Sequence, residues 1–352
     1  MNDEIGMIRQ ARPEAAPYSQ EAKLAARRAL TGPAARRRRP YGIVLAGALA
    51  VAAASVVAVG TFVPGTRDAG TGPVSTASAG GPAAVTLPKI AKMSAEEVLG
   101  RAADAVTDLR PRDDQFIKVT SQTMYGAFHV GLDPRSGDQV DENRYLYRTK
   151  RTIWLSADGT KDGALKIERL APRAYPGWPL PEEANREKPG TEWNRLPTCG
   201  HVSETAYTSL KKLPEDAEGM RAYLYSREHG DRPADAAAWT AVGDLLRETY
   251  MPAAQRAALF KAAATIPGVT VTEDAEDAAG RKGIGVGRVS LGVREDIVFH
   301  PETYELLGER GIVVDEKEAK APLGSLVAST AQLTIAVEDE APEVDDPHVG
   351  CG

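Results

Sequence analysis

The sequence predicts an α+β protein with a single N-terminal transmembrane helix and an exterior domain, in which a helical block packs on a curved antiparallel sheet. Three observations lead there. Residues 41–63, YGIVLAGALAVAAASVVAVGTFV, hold no charged side chain in 23 positions. Short β-patterned runs separated by tight-turn signals occupy residues 115–170 and 269–337. Between them, residues 203–266 carry apolar side chains at helical spacing.

The apolar run comes first. A helix rises about 1.5 Å per residue, so roughly 20 apolar residues cross the hydrocarbon core. Arg36, Arg37, Arg38 and Arg39 precede the run directly, and Pro64-Gly65 ends it. The basic flank predicts a cytoplasmic N-terminus and an extracytoplasmic C-terminal part at the cell membrane. A cleaved signal peptide fits less well. Its n-region would be 40 residues long, and the A-x-A match Ala77-Ser78-Ala79 starts 14 residues past Val63. Gly42, Ala46, Ala50, Ala54 and Ala58 recur every four residues, a spacing that lets helices pack closely. In an alanine-rich chain such a stripe also arises without function.

Residues 1–40 carry nine Lys/Arg against four Asp/Glu. They read either as a segment that folds on a cytoplasmic protein partner or as a topology signal lying on anionic headgroups. Residues 64–93, rich in Gly, Ser, Thr, Ala and Pro, read as a flexible linker. Residues 94–337 form the folded domain, and residues 338–352 an acidic tail. The whole chain carries −6, so residues 64–352 carry −11. That acidity argues against nucleic acid as a partner. Cys199 and Cys351, both beyond the anchor, either form a disulfide or remain separate thiols. A bridge would close a loop of about 150 residues, worth up to ~5 kcal/mol.

The domain elements follow in order. Ser94-Ala95-Glu96-Glu97 is a capping box opening a helix that Pro111 stops; Val98, Ala102, Ala105, Val106 and Leu109 share its face. Residues 115–125 and 143–155 read as strands, the second with Arg144, Arg148 and Lys150 on a wetted face. Asp158-Gly159 turns into a strand at 163–170. Residues 172–200, with six prolines, read as an irregular loop. Its Trp178 and Trp193 either line a ligand pocket or pin the loop to the sheet. Helices are expected at 203–210, 214–228, 235–249 and 252–266. Strands follow at 269–272, 283–290, 295–300, 304–314 and 326–337, as an antiparallel meander.

No catalytic, cofactor or metal-ligating constellation emerges. None of the five histidines stands at a metal-ligand spacing. Cys199-Gly200-His201 places a thiol and an imidazole close in sequence, but a Cys–His nucleophile pair needs the two groups to meet in space with a third group to orient them, which this pattern does not supply. Gly283-Ile284-Gly285-Val286-Gly287 lacks the spacing and following helix of a phosphate loop, and reads as a strand needing close backbone approach.

Three segments carry a resemblance: Trp154 to Thr160 (WLSADGT), Gly243 to Thr249 (GDLLRET) and Ile297 to Tyr304 (IVFHPETY). With the Arg-rich start and single anchor, they resemble an actinobacterial family of single-pass membrane proteins of unknown function, often encoded beside extracytoplasmic-function sigma factors. The resemblance spans most of residues 1–315 and names no active site. His300 stands where an acidic residue is expected. It implies a membrane-anchored sensor or regulator, with an envelope ligand outside and a partner on residues 1–40. The alternative expectation is an anchored lipid- or lipoprotein-handling domain of half-barrel type. No residue pattern points to an enzyme.

Overall fold

Nine strands among the described residues form one sheet in the order β4-β3-β2-β1-β9-β8-β7-β6-β5, antiparallel at every pairing. The computed structural model describes residues 87–88, 91–132, 139–186, 188–227, 230 and 232–345. The expected anchor at 41–63 with its small-residue face, the basic segment 1–40 and Cys351 lie outside them. Among the described residues no helix is long and apolar enough to cross a membrane. The strands are β1 Phe116–Leu132, β2 Gln139–Ser156, β3 Gly163–Ala174, β4 Gly190–Leu196, β5 Thr270–Glu276, β6 Lys282–Ser290, β7 Val293–Phe299, β8 Leu306–Val313 and β9 Leu326–Glu338. The helices are α1 Ala95–Asp104, α2 Tyr207–Leu210, α3 Ala217–Ser226, α4 Ala234–Leu246, α5 Ala253–Ala263 and α6 Glu316–Ala319.

Register assigns the faces. Ile117 pairs with Leu155, Val119 with Ile153 and Ser121 with Arg151. Paired residues share a face and alternate along the strand. This face carries the helices: Ile117, Val119, Ile153 and Leu165 pack with Tyr207 and Tyr250. On the β5–β8 half, Val271, Val286, Ile297 and Phe299 pack with Leu245, Leu259 and Phe260 of α4 and α5.

The open sheet is strongly curved. Strands lie ~4.8 Å apart, so a flat sheet would hold the β5–β6 turn roughly 20 Å from β1. Gln122 Nε2 of β1 nevertheless donates to Ala278 O in that turn at 2.9 Å. Ser121, its neighbour, bonds to the helical side, so the turn has folded over the opposite face. Gly285 and Gly287 permit the curl. A Cβ at Gly285 would lie 2.5 Å from Thr272 Oγ1, and one at Gly287 would overlap Glu295 O. The Gly283–Gly287 run is thus a strand of close backbone approach, as its sequence implies.

The sheet also forks. β8 and β9 pair from Ile312↔Leu326 to Gly308↔Ala331, and no further. Beyond that point β9 stays with β1 as far as Phe116↔Glu338, while Leu306 follows β7 through Phe299. Arg281 bridges the fork. Its Nη2 donates to Leu307 O and Gln332 O, each at 2.8 Å, one carbonyl on each branch.

Several expectations need correction. The first helix does start at Ser94, whose hydroxyl accepts from Glu97 N at 3.0 Å, but it ends at Asp104. Leu109 therefore lies beyond it and is 40% exposed. The 172–200 segment is not wholly irregular. It contains a 3-10 helix, Glu182–Arg186, and the edge strand β4. Flanking prolines hid β4, and an edge strand tolerates them because one side needs no ladder partner. The charged face of β2 is not uniformly wet: Lys150 is exposed, whereas Arg144 is 7% exposed among Phe128, Tyr175 and Trp178. The acidic tail is only partly solvated, since Ala341 and Val344 pack on Phe116 and Trp154.

Candidate functional site

The fork in the sheet opens a cleft of about 260 Å³. One wall is the end of α1 and its continuation, with Ala102, Val106 and Leu109; another is Tyr250 with Arg256 and Phe260 of α5. The floor is Leu306 and Leu307 on one branch of the fork and Gln332 to Ile335 on the other. Two of its apolar residues, Leu109 and Leu333, are 40% and 37% exposed. Water thus touches large aliphatic side chains that a closed core would hide.

A second cavity of about 20 Å³, room for about one water, shares Leu306 and Gln332 with the cleft. Its lining is mixed: the aliphatic Val119, Leu246, Leu306 and Ala331 stand beside Ser121, Thr123, Arg247, Glu248, Glu309 and Thr330. Arg247, at the C-terminal cap of α4, donates to both Glu309 oxygens at 2.9–3.1 Å and to Asp244 at 2.8 Å. Glu248 adopts a left-handed conformation (φ +53), which a non-glycine residue takes at a cost of about 1 kcal/mol. That turn aims its carboxylate at the sheet, where it accepts from Ser121 Oγ at 2.6 Å and Arg151 Nε at 2.7 Å. The segment from Gly243 to Thr249 therefore ties α4 to β1, β2 and β8 beside the fork.

Burial dominates the electrostatics here. It opposes the Arg247 charge, but Glu309, Tyr125 and Asp244 outweigh it and hold Arg247 well above the ordinary guanidinium value. Burial raises Glu309 even against Arg247. Burial, then repulsion from Glu309, pushes Glu295 up to about 7. The Tyr125 hydroxyl is buried with no hydrogen-bond partner, and its pKa is raised by that burial.

Gly243 makes this contact fit. A Cβ there would lie 2.7 Å from Glu309 Oε1 and 3.3 Å from Arg247 Nη2. Alanine in a helix interior ordinarily gains about 1 kcal/mol over glycine. At Gly243 we expect the reverse, a net loss of roughly 1–2 kcal/mol from overpacking. Gly100 in α1 meets nothing within 4 Å, so Gly100→Ala should raise the melting temperature while Gly243→Ala lowers it.

Trp178 and Trp193 line neither cavity. Trp178 Nε1 donates to Lys320 O at 3.0 Å, and Trp193 stacks on Trp154 with centroids 5.9 Å apart. Trp178 thus contacts the end of α6, and Trp193 belongs to the edge strand β4 itself. Cys199 is disulfide-bonded, and the other cysteine, Cys351, lies outside the described residues. His300 serves its turn as an acidic residue would, its Nδ1 accepting from Glu302 N and Thr303 N at 3.2 and 3.1 Å. Among the described residues no group of three or more His, Cys, Asp or Glu could hold a metal ion. No local residue pattern marks the fork, and none singles out Arg256 of α5. The Gly243–Thr249 segment was visible as a signature, without its destination.

No family model matches this chain, and no curated protein does. Among solved structures the chain is similar to a DUF1329 family protein from Desulfovibrio piger. Identity is 9%, over 68% of this chain and 90% of that one, with a TM-score of 0.20. At that TM-score the likeness carries no argument, and the functional reading rests on the cleft.

Proposed function

We propose that the protein is a membrane-anchored, extracytoplasmic binding protein for a single-chain amphiphile, and that the cleft at the fork is its site. The observation carrying this is a cleft of about 260 Å³ with aliphatic residues at water-exposed positions. Its size lies just under the ~300–1,000 Å³ of pockets for drug-sized ligands. Taking about 30 Å³ for each water-sized group, it admits on the order of ten methylene-sized groups. One alkyl chain fits, whereas a multiply acylated lipoprotein anchor does not.

Magnitudes set the affinity. Burying about ten methylenes at ~0.8 kcal/mol each gives roughly 8 kcal/mol, from which association subtracts at least ~4 kcal/mol. The chain alone should bind weakly, with a Kd of about 1 mM or above, which suits transient handling or sensing. No observation among the described residues favours signalling through residues 1–40 over simple carriage.

Native mass spectrometry of the protein with dodecanoate supplied at about 1–10 mM, at or above that Kd, should show one bound amphiphile per chain. Ala105→Trp, which fills the cleft from the end of α1, should abolish that adduct and leave the fold intact by circular dichroism. An adduct unchanged by Ala105→Trp, or none in the wild type, would overturn the proposal.

A further inference from the structure

The cleft wall holds two cations, and they differ. Arg281 is fully engaged: its guanidinium pairs with Asp277 at 2.6 Å and bridges the fork through Leu307 O and Gln332 O. Arg256 is not. Its Nη2 donates to Thr107 O at 2.6 Å, and its guanidinium lies over the Tyr250 ring, 5.0 Å from the centroid. Its Nε is buried with no hydrogen-bond partner. Among the described residues no carboxylate lies within ion-pair distance of it. Burial lowers its pKa against the opposing influence of Tyr250 and Asp108. Partly burying a guanidinium without a counter-charge costs free energy that one carbonyl and one aromatic face offset only in part.

The acidic groups nearby are already occupied. Glu305, on the cleft wall, accepts from Thr303 Oγ1 at 3.2 Å. Asp108 is 3.5 Å from Arg110 Nε and accepts from Tyr207 Oη at 3.4 Å. Arg256 thus stands in a cleft of mixed lining, beside the aliphatic Leu306, Leu333 and Ile335, with no anion paired to it among the described residues. An alkyl chain lying on Leu306, Leu333 and Ile335 would carry its head toward the walls of the cleft, one of which holds this guanidinium.

Resting on the amphiphile reading, we infer that the cleft selects a chain with an anionic headgroup, carboxylate or phosphate monoester, which Arg256 binds by charge-assisted hydrogen bonds. A guanidinium suits this task because its planar fork matches two oxygens of either anion. Dodecanoate and dodecyl phosphate share that chemistry, and both are used below to tell the two headgroups apart.

The test uses the full chain in phosphatidylcholine nanodiscs. Photoreactive dodecanoate and dodecanol, each with a chain-terminal diazirine, are crosslinked and the adducts mapped by mass spectrometry. Unlabelled dodecanoate and dodecyl phosphate compete. The readout is the acid-to-alcohol labelling ratio at the cleft in variant over wild type, in which membrane partitioning cancels. We expect Arg256→Gln to lower this ratio by about 10–100-fold while dodecanol still labels, from the strength of hydrogen bonds to charged groups, and Arg256→Lys to leave most of the preference in place. Stronger competition by one anion identifies the headgroup. If Arg256→Gln still labels the cleft and keeps the full preference, the headgroup inference fails and the amphiphile reading stands. If neither probe labels the cleft in wild type, the amphiphile reading itself falls.

Discussion

Replacing Asp296 with alanine should lower the unfolding free energy by about 3–5 kcal/mol, the cost of stranding buried charges. Its carboxylate is fully buried between two nearly buried guanidiniums, Arg294 at 2.9 Å and Arg310 at 3.0 Å, and it accepts from Thr272 Oγ1 at 3.2 Å. Arg294 also donates to Thr270 Oγ1 and O, and Arg310 to Thr272 Oγ1 and Asp274 O, so both cations are fixed in place. Without Asp296 two positive charges remain in a pocket closed by the curl of β5 and β6. Typical domains have only about 5–15 kcal/mol in hand. The loss corresponds to a drop in melting temperature of roughly 6–20 °C for a domain of this size. All four tryptophans, Trp154, Trp178, Trp193 and Trp239, lie in this domain, so their fluorescence reports its unfolding. A change under about 1 kcal/mol would mean that the two arginines find other anions.

The second expected effect is a fall in stability as pH rises through 4.5 to 7, governed by Glu295. Its folded-state pKa of about 7 exceeds the ordinary 4.5, with burial the leading cause. Repulsion from Glu309 adds to burial, while Arg247, Arg288 and Arg232 work against both. In this window the folded protein holds a proton that the unfolded chain has released. Stability contributed by that proton is fully present below about 4.5 and is lost as pH climbs to about 7, by up to about 3 kcal/mol. Glu295→Gln should flatten this dependence and raise the melting temperature at pH 8 by roughly 5–10 °C. Parallel pH profiles for wild type and variant would show that the group is solvated in the folded state.

The strand and helix pattern was legible because alternation and helical spacing are local properties. Ser94 capping α1, the meander from β5 to β9 and the close approach at Gly283–Gly287 all follow from a few neighbouring residues. Element ends were less legible. The helix expected to run on toward Pro111 stops at Asp104, because the segment after it turns toward Tyr250, whose hydroxyl accepts from Leu109 N at 2.6 Å and donates to Thr107 O at 2.8 Å. Those contacts span about 140 residues of sequence, and no local pattern announces them. β4 is hidden among prolines for a similar reason: among the described residues its only strand partner is β3, and the ladder is invisible until the hairpin closes.

The candidate site shows the same division more sharply. The signature from Gly243 to Thr249 was readable as a distinctive string, but its acids and arginine could equally have faced water. Only the register of β1, β2 and β8 brings Ser121, Arg151 and Glu309 under the end of α4. The expectation for Trp178 and Trp193 fared differently. Their residue type suited either a pocket or a packing role, and the packing partners Lys320 and Trp154 come from distant strands and turns.

By itself, then, the sequence determined the class of the protein: a charge-free run of 23 residues, an acidic domain beyond it, and α+β patterning at local periods. Hydrophobic spacing and net charge are sums over neighbours, and the chain alone carries them. The tertiary structure decided where the sheet forks, and with it the cleft, the bridging role of Arg281 and the unpaired state of Arg256. Those depend on which strand leaves which partner, a choice made by the curl of the whole sheet and by no segment of it.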